Sequence, residues 1–252
     1  MSAAGPERSV PRERLARNGD VRLHYLDGPG GGARGAPVVF VPGLSDVASD
    51  YTDVLASFGR RAVVMDLRGR GASDSPPRGY ALDDHVGDIE AVLAEAGIDR
   101  FHLATFSRGT SYGLGFALRH PEQVLTIAIG DYDAREVGLT VDFVPSFHDG
   151  RWRGTPVSSR LTRIALEGIA RESVERPLWD DLARLGTPVL VVRGGRPDRP
   201  GFLRDEGVAR YRAAVPDVEI VTFDDSSHDI FRPDPTRFAT LVARFIERHE
   251  RT

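Results

Sequence analysis

The stretch Phe101-His-Leu-Ala-Thr-Phe-Ser107-Arg-Gly109 decides the fold of this chain. Its first four residues are typical of a short buried strand, and the segment rich in small residues after Gly109 is typical of a helix. A serine between a strand end and a helix start lies on a tight turn that needs small neighbours, because larger side chains would strike the adjacent backbone. Gly109 meets this requirement, and Thr105 only partly does. The stretch predicts a serine hydroxyl that projects above the carboxyl ends of the strands.

The rest of the chain repeats the pattern of short apolar runs followed by longer segments of helical period. This alternation is typical of an α/β fold with a mostly parallel sheet and crossover helices. The predicted strands are 37–41, 62–65, 101–104, 124–129, 188–192 and 218–222, and the predicted helices include 82–96 and 236–248.

One segment, Tyr132 to Leu182, breaks the alternation, since it has no clear strand. We interpret it as an insertion of residues 132–182 between two strands of a core that comprises residues 1–131 and 183–252. Its tryptophans, Trp152 and Trp179, either pack the insertion or line a pocket. We expect its arginines to be solvated and not to form a site for an anionic substrate. These arginines are Arg135, Arg151, Arg153, Arg160, Arg163, Arg171 and Arg176.

The composition of the chain excludes several classes of function. The chain has 252 residues, a formal net charge of -4 and interspersed charges, which predicts one globular protein with no nucleic-acid partner. It has no cysteine and no lysine, which excludes disulfides and thiol or lysine nucleophiles. No His, Asp or Glu cluster has metal-ligand spacing, so neither a metal nor a cofactor is expected. Met1 to Arg17 lacks an apolar signal segment, and no apolar run reaches membrane-spanning length, which predicts a cytoplasmic protein without membrane contact.

Two later segments supply partners for Ser107. Asp198 lies in the loop after the strand at 188–192, and His228 follows the strand at 218–222. The resulting order of serine, aspartate and histidine along the chain is that of a known hydrolase arrangement. Asp131, directly after the strand at 124–129, is an alternative acid, and we favour Asp198 over it. Of the other histidines, only His148 is considered for substrate contact, because it lies in the insertion.

Several motifs together resemble the α/β-hydrolase superfamily over essentially Val21 to Arg248. Phe40-Val-Pro-Gly-Leu44 matches the family's oxyanion loop, with Pro42-Gly43 where the family usually has His-Gly. The glycine-rich turn from Asp66 to Asp74 matches the loop after the next strand, and His120-Pro-Glu122 matches the end of the helix behind the nucleophile.

The resemblance implies helices on both faces of the sheet and a short, mainly helical cap after strand 6. It also implies that Ser107 attacks an acyl carbon, that His228 transfers the proton and that Asp198 orients His228. The backbone N–H groups of Leu44 and Arg108 would stabilise the oxyanion. The expected enzyme is a carboxylesterase-like hydrolase of an ester, a thioester or a related activated acyl bond in a small molecule. A serine at this position argues against haloalkane dehalogenases and epoxide hydrolases, which need an aspartate.

Other activities use the same residues. Carbon–carbon bond hydrolases, perhydrolases and lactonases share the Ser-His-Asp set. Outside hydrolysis, some members of the superfamily are small-ligand receptors, and others are cofactor-independent oxygenases. The sequence leaves the substrate, the pathway and the oligomeric state open.

Overall fold

A computed structural model describes residues 10–28 and 35–250 of the chain. Residues 1–9, which form half of the segment used to argue against a secretion signal, lie outside the described residues. The strands are β1 (Arg12–Asn18), β2 (Val21–Gly28), β3 (Val38–Val41), β4 (Ala62–Met65), β5 (Phe101–Phe106), β6 (Val124–Gly130), β7 (Arg135–Glu136), β8 (Arg151–Trp152), β9 (Thr155–Pro156), β10 (Arg176–Pro177), β11 (Val189–Gly194) and β12 (Glu219–Phe223). The α-helices are α1 (Thr52–Leu55), α2 (Leu82–Ala96), α3 (Gly109–Arg119), α4 (Phe143–His148), α5 (Arg163–Glu172), α6 (Trp179–Leu185), α7 (Asp205–Ala214) and α8 (Arg237–Glu250).

Eight strands form the central sheet in the order β1-β2-β4-β3-β5-β6-β11-β12. The strands from β4 to β12 in this order pair in parallel, whereas β2 pairs with both β1 and β4 in the antiparallel sense. The prediction of a mostly parallel α/β sheet is therefore confirmed. The antiparallel β1 and β2 had not been predicted.

Helices cover both faces of the sheet, as the alternation of side chains along β3 shows. Val39 and Val41 pack in a core with residues of α2, α3, α6 and α7, while Val38 and Phe40 pack in a second core with α1 and α8. Because successive side chains of a strand point to opposite faces, a four-residue strand that is buried throughout requires cover on both sides.

The insertion (residues 132–182) lies between β6 and β11 and contains α4, α5 and most of α6. The sequence showed no clear strand in the insertion, but the insertion does contain strands: β7 pairs with β10 and β8 pairs with β9 in two short antiparallel ribbons. Each of these strands has two residues, too few to show a period of two in the sequence. Among the described helices, none combines the length and the apolar character of a bilayer-spanning segment.

The register of the parallel strands brings five loops together. Val41 of β3 pairs with Thr105 of β5, and Phe106 of β5 pairs with Gly130 of β6. Gly130 also pairs with Val192 of β11, whose last residue, Gly194, pairs with Phe223 at the end of β12. The carboxyl ends of these strands are thus level, and the loops that follow them meet at one edge of the sheet, where open α/β sheets bind ligands.

Candidate active site

Ser107 lies on a strained turn between β5 and α3. Its φ angle is 51°, in the left-handed region that residues other than glycine rarely adopt. The turn fits because residue 109 is glycine: a Cβ at Gly109 would lie 2.3 Å from the carbonyl oxygens of Val41 and Pro42. The small neighbour that the sequence indicated is thus required by the backbone of the adjacent strand.

Thr105 is accommodated by a second glycine. A Cβ at Gly113 would lie 2.6 Å from Thr105 Cγ2, so the threonine methyl group occupies space that a side chain at position 113 would need. The Thr105 hydroxyl lies 3.0 Å from Thr110 Oγ1 and is buried. The departure from glycine at position 105 is therefore compensated by Gly113, about one helical turn into α3, and the turn at Ser107 stays intact.

His228 lies between Ser107 and a carboxylate. Its Nε2 is 2.9 Å from Ser107 Oγ, and its Nδ1 is 2.6 Å from Asp131 Oδ2. A carboxylate can only accept, so Nδ1 carries the hydrogen and Nε2 is left to accept from the serine hydroxyl. The imidazole stacks on Phe202, with ring centroids 3.7 Å apart, and the ring of Phe106 lies 5.0 Å away.

Asp131 is the carboxylate that holds His228. It is the first residue after β6, it is completely buried, and its φ angle of 47° is again left-handed. Its oxygens accept N–H groups from Gly194 at 3.1 Å and from Phe202 at 2.7 Å. The loop passes this closely because residue 201 is glycine, where a Cβ would lie 2.2 Å from Asp131 Oδ1.

The prediction that Asp198 orients His228 is wrong. The Asp198 side chain is 68% exposed, and its two oxygens accept hydrogen bonds from Arg196 Nε and Nη2 at 2.7 and 3.0 Å. The hydrogen bonds from Arg196 lower the pKa of this carboxyl group. Its loop continues to Phe202, which contributes an N–H group to Asp131, so the segment supports the buried acid and leaves Asp198 in solvent.

Leu44 and Arg108, whose backbone N–H groups are the predicted oxyanion donors, line the same cavity as Ser107. Within the described part of the chain, no hydrogen bond uses the backbone N–H group of either residue. The carbonyl oxygen of Leu44 accepts from Arg70 Nε at 3.0 Å. Two backbone donors next to the serine hydroxyl are therefore available to a ligand.

The cavity above Ser107 has a volume of about 340 Å³ and mainly apolar walls. Its apolar lining consists of Leu44, Phe106, Leu139, Phe143, Phe147, Trp152 and Phe202. Among the described residues, two charged side chains also line it, and both have hydrogen-bond partners in the protein. Arg108 donates to Tyr112 Oη and to the Val137 carbonyl oxygen, and Asp46 accepts two N–H groups. A larger groove of about 490 Å³ lies between β1 and α2 and includes neither Ser107 nor His228 in its lining.

Comparison with known proteins identifies the family of the chain. Residues 36–156 match the family model described as the alpha/beta hydrolase fold. The AB hydrolase superfamily protein YisY of Bacillus subtilis is 34% identical over 248 residues, which cover 84% of this chain and 91% of that protein. The chain belongs to the α/β-hydrolase superfamily.

Other members differ in the activities that they are named for. N-formylmaleamate deformylase of Pseudomonas putida is 24% identical to this α/β hydrolase, over 92% of this chain and 95% of that protein. The enol-lactonase of Burkholderia xenovorans has the same fold, with a TM-score of 0.76, 19% identity and coverage of 93% of this chain and 100% of the lactonase. The prediction of an α/β-fold hydrolase is thus confirmed.

The arginines of the insertion do not all behave as predicted in this α/β hydrolase. Arg153 and Arg160 are buried in ion pairs with core carboxylates, so the prediction of solvated side chains is wrong for these two. Arg153 donates to both oxygens of Asp229, at 3.0 and 2.8 Å. Burial alone would lower the pKa of Arg153, but Tyr51, Asp46 and Asp229 raise it above its ordinary value. Neither arginine lines the cavity.

The remaining residues singled out in the sequence have structural positions. Trp152 lines the cavity, whereas Trp179 stacks edge-on against Tyr211 of α7. His148, which the sequence offered for substrate contact, ends α4 and is not part of the cavity lining.

The glycine-rich turn from Asp66 to Asp74 has a structural position. Asp66 accepts the N–H groups of Ala48 and Ala72 and thereby fixes this turn.

Proposed function

We propose that this α/β hydrolase is a serine hydrolase that cleaves an ester, a thioester or a related activated acyl bond of a small, largely apolar molecule. One observation carries the proposal: the hydrogen-bonded series Ser107, His228 and Asp131 ends at the floor of an apolar cavity. A nucleophile within hydrogen-bond reach of a base, which a third group orients, is the arrangement that nucleophilic catalysis requires.

In the proposed reaction, Ser107 Oγ attacks the acyl carbon while His228 Nε2 accepts its proton. The tetrahedral intermediate collapses, the bond to the leaving group breaks, and His228 returns the proton to that group. A water molecule then attacks the acyl-enzyme with His228 as the base, which releases the acid and restores Ser107. Asp131 holds the imidazole in the required tautomer and stabilises its cationic form.

The oxyanion of the intermediate would accept hydrogen bonds from the N–H groups of Leu44 and Arg108. Such donors are effective because they are fixed before the charge develops. Arg108 follows the nucleophile and precedes α3, so its N–H group lies at the positive end of a helix dipole. Leu44 presents its N–H group from the loop after β3.

The cavity walls support an uncharged substrate. The charged side chains at the cavity, Asp46 and Arg108, already have protein partners, and apolar groups form most of the surface. The size suits a small molecule. We also propose that the insertion acts as the cap, because Leu139, Phe143 and Trp152 close the cavity from that side. The deformylase and the lactonase named above are consistent with a reaction at an acyl carbon.

The test is turnover of p-nitrophenyl esters together with labelling by a fluorophosphonate. Wild-type protein should hydrolyse short-chain esters and be labelled at Ser107, whereas Ser107→Ala should lose about 10⁴-fold or more in kcat and all labelling. Ser158→Ala, at an exposed position of the insertion, is the matched control and should behave like the wild type. Ester turnover or labelling that survives in Ser107→Ala would refute the proposal, as would a wild type that shows neither.

A further inference from the structure

The insertion reaches the loop after β3 through one tryptophan and one carboxylate. Trp152 Nε1 donates to Asp46 Oδ1 at 2.6 Å, and the Gly43 N–H group donates to Asp46 Oδ2 at 2.9 Å. Asp46 is 2% exposed. One oxygen of a buried carboxylate is thus bound by the insertion, and the other is bound by the backbone one residue before Leu44.

The peptide groups around the Leu44 N–H group are fixed by side chains. Arg70 Nε donates to the Leu44 carbonyl oxygen at 3.0 Å, and Arg160 Nε of the insertion donates to the Ser45 carbonyl oxygen at 2.9 Å. Residue 43 must be glycine for the carboxylate to come so close, because a Cβ there would lie 2.6 Å from Asp46 Oδ2. The orientation of the Leu44 N–H group therefore depends on contacts from outside its own loop.

The charge of Asp46 is balanced from the same part of the insertion. Arg153 Nη1 lies 3.7 Å from Asp46 Oδ1 and 3.5 Å from Asp50 Oδ2. Arg153 has a φ angle of 49°, the third left-handed non-glycine residue of the described chain after Ser107 and Asp131. A strained backbone persists where surrounding contacts determine it, and here these contacts lie next to the proposed site.

The Trp152 ring also forms part of the cavity wall. It is nearly parallel to the ring of Phe106, with centroids 6.5 Å apart and an interplanar angle of 23°, and its centroid is 5.9 Å from that of His228. The same side chain that would contact the acyl group thus also holds the loop that would bind the oxyanion.

We propose that Trp152 is a positioning residue for the oxyanion site, acting through Asp46 on the Gly43 N–H group, in the peptide directly before the one that carries the Leu44 N–H group. This inference rests on the proposed serine hydrolase activity. Its physical basis is that a hydrogen-bond donor stabilises a transition state in proportion to how well it is fixed in advance. Without the indole N–H group, Asp46 Oδ1 loses its hydrogen bond and keeps only the ion pair with Arg153 at 3.7 Å. We expect the carboxylate to turn towards Arg153 and to shift Gly43 with it.

The first test is Trp152→Phe, which keeps an aromatic wall and removes the indole N–H group. We expect kcat for a p-nitrophenyl ester to fall about 10- to 100-fold, since small displacements of catalytic groups have effects of this size, while KM stays within about twofold. Trp179→Phe is the matched control. Among residues 10–28 and 35–250, Trp179 Nε1 is buried without a hydrogen-bond partner, and it lies outside the cavity lining, so the same substitution there should leave kcat unchanged.

The second test separates positioning from packing. An aryl trifluoromethyl ketone, which forms an oxyanion adduct with a serine nucleophile, should bind Trp152→Phe less tightly by the same factor as kcat falls. The corresponding unreactive alcohol should bind with unchanged affinity. Asp46→Asn should reduce kcat at least as much, and the double variant should be no worse than Asp46→Asn alone, because both changes act through one contact.

A rise in KM with unchanged kcat would overturn the inference and assign Trp152 to substrate packing alone. Equal losses in Trp152→Phe and Trp179→Phe would also overturn it. Both outcomes require an active wild type that reacts at Ser107, so they are distinguishable from failure of the proposed function.

Discussion

Two loops leave neighbouring parallel strands of the sheet, β6 and β11, and each carries an aspartate close to the strand end. Asp131 is the first residue after β6, and Asp198 is the fourth residue after β11. Asp131 is completely buried and holds His228 Nδ1 at 2.6 Å, whereas the Asp198 side chain is 68% exposed and pairs with Arg196. The same residue type thus has opposite environments at the same edge of the sheet.

The difference shows that the backbone around an aspartate determines its environment, which the order of serine, aspartate and histidine along the chain does not. At Asp131 a left-handed turn aims the side chain along the strand ends towards His228. The last residue of β11, Gly194, and the loop after it, through Phe202 and Leu203, then supply N–H groups to this carboxylate. Hydrogen bonds to an ionised carboxylate are among the stronger ones in proteins. One loop carries the acid, and the other holds it.

The largest expected effect separates the two aspartates directly. Asp131→Asn should lower kcat about 10⁴-fold, the size known for this substitution in serine proteases, because the amide no longer selects the His228 tautomer that accepts the serine proton. Asp198→Asn should change kcat by less than about twofold. Steady-state ester hydrolysis measures both, and circular dichroism checks that both variants fold. A large loss in Asp198→Asn with an active Asp131→Asn would reverse the assignment.

The sequence indicated the serine and the histidine that the structure brings together, but not the aspartate that is hydrogen-bonded to that histidine. Ser107 and His228 each lie in a loop that follows a clearly predicted strand, and Ser107 Oγ lies 2.9 Å from His228 Nε2. Asp131 and Asp198 satisfy the serine, aspartate, histidine order equally well, so order could not choose between them. Two signals favoured Asp131 in retrospect: its place directly at the strand end, and the presence of Arg196 two residues before Asp198.

Much of the fold was also predictable, because buried strands and amphipathic helices have regular periods. The predicted helix at 82–96 and strand at 62–65 match α2 and β4 residue for residue. The insertion was harder, since its ribbons are two residues long. The burial of Arg153 and Arg160 was not predictable either, because it depends on core carboxylates such as Asp229 and Asp50, more than 70 residues away in the chain.

The next effect tests whether the β11 loop holds the acid. In Gly201→Ala the new Cβ would lie 2.2 Å from Asp131 Oδ1, so the loop must withdraw and the 2.7 Å hydrogen bond from the Phe202 N–H group must lengthen. We expect kcat to fall about 10- to 100-fold and the free energy of unfolding to fall by about 1–3 kcal/mol. Kinetics and urea denaturation measure these changes.

Two further variants test whether the effect of Gly201→Ala is specific to position 201 and acts through Asp131. Arg199→Ala changes an exposed residue of the same loop and should leave both quantities unchanged. Gly201→Ala combined with Asp131→Asn should be no less active than Asp131→Asn alone, because the loop acts through that carboxylate. Full activity in Gly201→Ala would show that the loop is not needed to hold Asp131.

The smallest effect concerns the side chain that the β11 loop places against the imidazole. The Phe202 ring stacks on His228 with an interplanar angle of 18°, although the residue is 59% exposed. An aromatic pair of this kind contributes about 0.5–1.5 kcal/mol, so Phe202→Ala should lower the free energy of unfolding by about that amount and, because the imidazole is held less firmly, lower kcat about two- to tenfold. Phe202→Tyr keeps the ring and should retain wild-type kcat. Since either substitution leaves the backbone N–H group on Asp131, a loss as large as that of Gly201→Ala would mean that stacking, and not the hydrogen-bonded carboxylate, is the main contribution of this loop to holding His228.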